Sequence, residues 1–150
     1  MKTKYASTYL AMNTYTKLMR AAETITGNVS RTMSKAGLTI SQFGVLEALH
    51  HKGPLCQRDI AVKILKSTGN ITLVIDNLEK QGLVKRERIH EDRRYLTVSL
   101  TEKGENLIGL VFPEVEAAIV VEMGVLTADQ QELLGQLCKS LGLRKGKESA

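Results

Sequence analysis

The 150-residue chain has only two cysteines, Cys56 and Cys138. They lie far apart and neither belongs to a paired motif, so no disulfide framework or thiolate metal site is expected, and such sparse usage suits a reducing compartment. No apolar run approaches the roughly 18 residues that cross a bilayer. Residues 1–17 lack the apolar segment of a secretory signal, so a cytoplasmic protein without a membrane partner is expected. The signatures of common enzymes are missing too: there is no phosphate-binding glycine loop, no nucleophile elbow and no pair of carboxylates in a cleft-like context. The three histidines are His50, His51 and His90. Residues 50 and 51 are adjacent and diverge around a helix, and no acidic or thiol side chain is spaced to complete a metal site. They are expected as a surface pair, and neither an enzyme, a cofactor nor a bound metal is expected. The chain also has no internal repeat and no low-complexity segment.

What remains is a composition typical of soluble globular proteins, 43% hydrophobic and 25% charged,. The length gives one domain or two small lobes, and a chain of this size buries about 70% of its unfolded surface without help from disulfides or metal. Twenty-one basic residues against 16 acidic ones give a net charge of +5. That balance favours a polyanionic partner such as nucleic acid or an anionic surface.

The hydrophobic pattern is mostly helical. Leu18, Ala21, Ile25, Val29 and Met33 mark one face of a helix over about residues 5–35, stopped by Gly37,. Thr39-Ile40-Ser41-Gln42 fits a capping box; the helix after it places Phe43, Leu46 and Leu49 on one side and ends at Gly53-Pro54. A short helix over about residues 57–63 turns Ile60, Ala61 and Ile64 inward. The polar break at residues 66–70 then starts a helix with Ile71, Val74, Ile75 and Leu78 on its apolar face, terminated by Gly82,. At residues 84–89 and 95–100 the period changes. Leu96, Val98 and Leu100 alternate with Tyr95, Thr97 and Ser99, and the polar turn between the two runs makes them a β-hairpin. A helix opening at Thr101-Glu102 should kink or break at Pro113. Thr127-Ala128-Asp129-Gln130 is a second capping box, leading a helix with Leu133, Leu134, Leu137 and Leu141, and residues 144–150 read as a disordered tail,.

Helix, helix, helix, hairpin is the order of a winged helix-turn-helix, in a mainly α fold with a small β-hairpin wing. Two short helices meet through apolar faces so that the second presents its polar face to the major groove. That face would carry Gly69, Asn70, Thr72, Leu73, Asp76, Asn77 and Lys80. Ser67, Thr68, Asn70 and Thr72 can donate or accept at base edges, exposed amides at the helix start can meet a phosphate, and Leu73 can touch a thymine methyl. The hairpin adds Lys85, Arg86, Arg88, His90, Arg93 and Arg94, cations suited to a DNA backbone or a narrow minor groove. Asp92 makes sense there as a brace that fixes the direction of an arginine.

The stretch GNITLVIDNLEKQGLVKRERIHEDRRYLTVSLTEKG, residues 69–104, resembles the MarR-type regulators, above all in its D-R-R wing followed by a strand and L-T-E-K-G. LTISQFGVLEALHHKGPLCQRDIA at 38–61 and the closing LTADQQELLGQL are similar to the same family, so the resemblance covers nearly the whole chain. It implies an obligate homodimer, with residues 1–37 and 105–143 as a helical dimerisation region and 38–104 as the DNA-binding lobe. It also implies double-stranded DNA as partner, a pseudo-palindromic operator with half-sites about one helical turn apart, and a repressor released by a small, often phenolic or aromatic effector. Arg94 would be the wing arginine and Asp92 its partner. Where many relatives carry arginine, this chain has Leu73 or Asn77, so base reading leans on short polar groups and the wing.

Three further readings follow from particular residues. Tyr9, Met12 and Tyr15 could line an effector pocket, though apolar residues at helical spacing also serve as core or dimer interface. The few cations on the recognition helix leave open a protein-interaction module built on the same fold. A thiol switch at Cys56 or Cys138 has less support, since no cysteine precedes residue 56 and Cys138 sits on an apolar helix, where burial is expected,.

Overall fold

In the computed structural model, residues 2–64, 68–88 and 96–142 are described. The tail at 144–150 lies outside them. The element order is α1 (Lys2–Lys35), α2 (Ile40–Lys52), β1 (Leu55–Cys56), α3 (Gln57–Lys63), α4 (Thr68–Lys80), β2 (Val84–Glu87), β3 (Thr97–Leu100), α5 (Glu102–Met123) and α6 (Ala128–Gly142).

The core forms where the apolar faces of α2, α3 and α4 meet. Val45, Leu46, Ile60, Ile71, Ile75 and Leu78 are completely buried there. The capping box ahead of α2 is present, with the Gln42 amide donating to Thr39 Oγ1 at 3.1 Å and the Thr39 amide donating to Gln42 Oε1 at 3.0 Å. It satisfies two of the orphan donors of the first turn and fixes where α2 begins. The apolar face of α2 is broader than Phe43, Leu46 and Leu49 alone, because Val45 and Ala48 are buried as well. Neighbours therefore cover this helix on more than one side.

The wing contains a strand that periodicity does not reveal. β2 and β3 pair antiparallel with Val84 opposite Leu100 and Glu87 opposite Thr97. β1 adds to the other edge of β3, with Leu55 opposite Val98, giving the order β1-β3-β2. Two residues are too few to show alternation, and Pro54 before them reads simply as a helix stop. β1 ties the start of α3 to the wing.

Residues 101–104 clamp α5 onto the turn between α4 and β2. Gly82, at φ 72°, lets the chain leave α4, with the Gly82 amide on the Glu79 carbonyl and the Leu83 amide on the Leu78 carbonyl, a Schellman closure that needs the left-handed conformation. Thr101 caps α5 by accepting from the Gly104 amide, and its hydroxyl donates to the Gly82 carbonyl at 2.6 Å. Lys103 Nζ donates to the Gln81 carbonyl. A Cβ at Gly104 would overlap the Leu83 carbonyl oxygen, so the close approach of α5 to this turn depends on glycine.

α5 runs unbroken from Glu102 to Met123 with Pro113 inside it, so the interruption expected there does not occur. Ile108 and Val111 before the proline and Val115 after it are buried in the common core. Anchoring on both sides of the proline offsets its missing donor, a cost of about 3 kcal/mol in a helix interior. The end of α1 joins the same core through Val29 and Met33, and Asn28 donates to Glu122 at 3.0 Å. The first half of α1 and all of α6 are different. Ala21, placed on the apolar face of α1 by its spacing, is exposed, as are Tyr5, Tyr9, Leu10, Met12 and Tyr15. The α6 capping box forms, yet no residue of α6 is buried. Cys138, expected to be buried, is exposed, as are most residues of α6.

Candidate nucleic-acid interface

α4 is sharply two-sided. Ile71, Ile75 and Leu78 are completely buried, while Asn70, Thr72, Leu73, Asn77 and Lys80 are exposed on the other side. Leu73 stands out at 62% exposure, since an apolar side chain gains nothing from water. Thr68 and Gly69 form the first turn of α4. Ser67 lies outside the described residues.

A polar network holds this helix to the wing and to α3. Arg86 on β2 is only 16% exposed in its side chain, and its guanidinium is 2.6 Å from Asp76 Oδ1 and 3.2 Å from Glu79 Oε1. It also donates to Gln57 Oε1 at 3.2 Å and to the Thr72 carbonyl at 3.4 Å, while the Arg86 amide donates to Glu79 Oε2. Gln57, the first residue of α3, donates in turn to Thr72 Oγ1 at 2.7 Å. Charge-assisted hydrogen bonds in a fork geometry are strong and directional, so β2, α3 and α4 are held in one fixed arrangement. Composition places Arg86 among the cations facing outward; the structure folds it back onto α4. Sequence reasoning misses Gln57, Asp76 and Glu79 as its partners. The signal is two acids three residues apart on a helix that feeds directly into a strand bearing an arginine.

Lys85 pairs with Glu87 at 2.8 Å on the solvent side, and Arg88 is exposed. His90, Asp92, Arg93 and Arg94 lie outside the described residues.

Clefts lie between the helices, among the described residues. One of about 420 Å³ lies between α1 and α6 and includes Tyr15, Leu10, Leu18 and Leu141. Tyr9 and Met12 do not line it; both are exposed. Another, about 340 Å³, lies between α2 and α5 against Phe43 and Phe112. His50 and His51 border the α2–α5 junction, which makes them more than a bare surface pair. His50 Nδ1 is 2.7 Å from Glu105 Oε1, and the His51 ring stands edge-on to Phe112 with centroids 4.8 Å apart. Among the described residues no cluster of His, Cys, Asp and Glu could hold a metal ion, and no helix is long and apolar enough to cross a membrane.

A helix pair that presents one polar helix face beside a three-stranded antiparallel wing defines a winged helix-turn-helix protein. The sequence pattern of the MarR family matches residues 38–96. The HTH-type transcriptional regulator MhqR of Bacillus subtilis (strain 168) is 36% identical over 126 residues, covering 84% of this chain and 87% of that one. The chain belongs to the MarR family of transcriptional regulators, DNA-binding proteins and not enzymes. The fold is that of AbsC, a MarR family regulator from Streptomyces coelicolor, with a TM-score of 0.82 at 22% identity over 87% of this chain and 90% of that one. NadR in complex with 4-hydroxyphenylacetate is similar at a TM-score of 0.71 and 26% identity, over 86% of this chain and 92% of NadR.

Proposed function

We propose that this protein is a cytoplasmic homodimeric repressor that reads a pseudo-palindromic operator and is released from it by a small aromatic molecule. In this reading α4 enters the major groove. Ser67, Thr68 and Gly69 set its first turn against a phosphate, and Asn70, Thr72, Leu73 and Asn77 face base edges. The wing follows the adjacent backbone or minor groove with Arg88, His90, Arg93 and Arg94, and Asp92 steadies Arg94. Arg86 acts through α4 as a brace and does not itself touch DNA. The observation that carries the proposal is the pairing of an exposed polar face on α4 with an Arg86 network that fixes it relative to the wing. A groove-reading helix needs that pre-set geometry.

Residues 38–104 form the reading lobe, and 1–37 with 105–143 the dimerisation region. The support for a dimer is the apolar surface a single chain leaves uncovered: Leu133, Leu137 and Leu141 on α6 are each more than half exposed, as are Tyr5, Tyr9 and Leu10 on α1. Exposed apolar stripes of this extent mark interaction surfaces. The aromatic complex of NadR supports an effector for this chain as well.

Selection of bound fragments from the host genome, followed by anisotropy titration, tests the function. The expected result is a two-fold symmetric site whose binding weakens steeply with salt, because phosphate contacts release counterions. No enrichment of any fragment, or binding indifferent to salt, would overturn it.

A further inference from the structure

We infer that Leu73 and Asn77 make this protein a reader of A·T base pairs, with Leu73 against the C5-methyl group of a thymine and Asn77 on the hydrogen-bonding edge of an adenine. This deepens the reading of α4 as the helix that enters the major groove, and rests on it. The charged groups of α4 are engaged elsewhere. Its two carboxylates are Asp76 and Glu79, and Arg86 holds both, at 2.6 Å and 3.2 Å. Glu79 also accepts from the Arg86 amide at 3.1 Å. The Thr72 hydroxyl accepts from Gln57 at 2.7 Å, and Gln57 Oε1 accepts from Arg86 Nε, which orients the Gln57 amide with its nitrogen towards Thr72. These bonds tie one side of α4 to α3 and β2.

What projects beyond them is chemically narrow. Leu73 is a large apolar side chain in water, and Asn77 is exposed one turn further on. Residues four apart share a side of the helix. They lie about 6 Å apart along its axis, less than two base-pair steps of ~3.4 Å, so they meet neighbouring base pairs. In the major groove each base has its own readers. Guanine takes arginine or lysine at O6 and N7, and cytosine takes a carboxylate at N4. Adenine takes asparagine or glutamine at N6 and N7, and thymine takes an apolar contact with its methyl group. The one cation of α4 is Lys80, in its last turn, about 10 Å beyond Leu73 along the axis. Both carboxylates are bound to Arg86. At the centre of the helix guanine and cytosine therefore lack their readers, while Leu73 and Asn77 match thymine and adenine. Contact between Leu73 and a thymine methyl also takes apolar surface of both partners out of water, which a polar base edge would not do.

The test starts from a randomised duplex library selected for binding to the full chain. The selected duplex is resynthesised with deoxyuridine at each thymidine in turn, which removes the methyl group and keeps the base pair. It is also made with 7-deazaadenine at each adenine, which removes the N7 acceptor. One deoxyuridine position per half-site should weaken binding about three- to five-fold, the scale of one buried methyl group. A 7-deazaadenine one or two base pairs away should weaken it about five-fold or more. Leu73→Ala should lose the deoxyuridine effect and keep the deazaadenine effect, and Asn77→Ala the reverse. Both side chains are exposed, and an unchanged unfolding temperature confirms that the variants fold. Methyl and N7 deletions that act equally on wild type and variants, or selected half-sites built of G·C pairs, overturn the inference and leave DNA binding by α4 standing. Failure to enrich any duplex overturns the operator reading itself, and this inference with it.

Discussion

The Arg86 guanidinium on β2 lies 2.6 Å from the Asp76 carboxylate on α4. The pair joins β2 to α4, the two elements that the proposed function sets against DNA together, and Glu79, Gln57 and the Thr72 carbonyl complete it. Arg86→Ala should destabilise the fold by about 1–3 kcal/mol, the cost of leaving partly buried hydrogen-bonding groups unmatched. DNA affinity should drop with it. Arg86→Lys should restore stability only in part, because an ammonium cannot serve the same fork of acceptors. Thermal unfolding and anisotropy on the same variants check both effects; a lysine variant with wild-type stability would show that the fork geometry does not matter.

Leu73→Ala and Asn77→Ala change exposed side chains on α4 and should leave the unfolding temperature nearly unchanged, as surface substitutions usually do. Their effect should appear in selectivity, with about 1–3 kcal/mol less discrimination at one position of each half-site. Binding measured against a set of single-base operator variants separates this from a uniform loss.

Arg94→Ala should weaken binding evenly across DNA sequences and make the salt slope shallower by about one for each phosphate the arginine neutralises. Asp92→Ala should give a smaller loss by freeing Arg94. Salt titrations of both variants decide the matter, and wild-type slopes in both would remove the wing from the DNA interface.

Gly104→Ala should be among the most damaging small substitutions in the chain, because a methyl there meets the Leu83 carbonyl oxygen. A loss of several degrees in unfolding temperature is expected, since backbone must shift to admit it. Gly109→Ala, at a position with open space around it, should be neutral or slightly stabilising and serves as the control.

Leu137→Glu on α6 should yield a folded chain of monomer mass in light scattering, because Leu137 is already exposed in the single chain. Operator affinity should fall by orders of magnitude when two half-sites are no longer held together. A dimer of unchanged mass would place the interface elsewhere.

The helices and the wing strands are legible in the sequence because their signals are local. Capping boxes at Thr39 and Thr127, the glycine stop at Gly82 and the alternation around Val98 each act within a few residues. Signals that depend on distant partners are not legible. β1 exists because β3 supplies its ladder, and α5 passes through Pro113 because the core grips both flanks. Arg86 looks like any wing cation until Asp76 and Glu79 are brought beside it. Cys138 follows the same logic: an apolar stripe predicts burial, but no residue of α6 is buried among the described residues.

The unbroken α5 makes the molecule a lever. Its 22 residues span about 33 Å, with Ile108, Val111 and Val115 seated in the core and Val120 and Val121 exposed beyond it. α5 is continuous across Pro113, so movement at one end is carried towards the other. A tilt of about 5° at one end displaces the other by about 3 Å, close to the rise of one base pair, which is ~3.4 Å per strand step. In the proposed dimer, the register of two recognition helices on DNA is therefore a matter of the angle between two α5 rods.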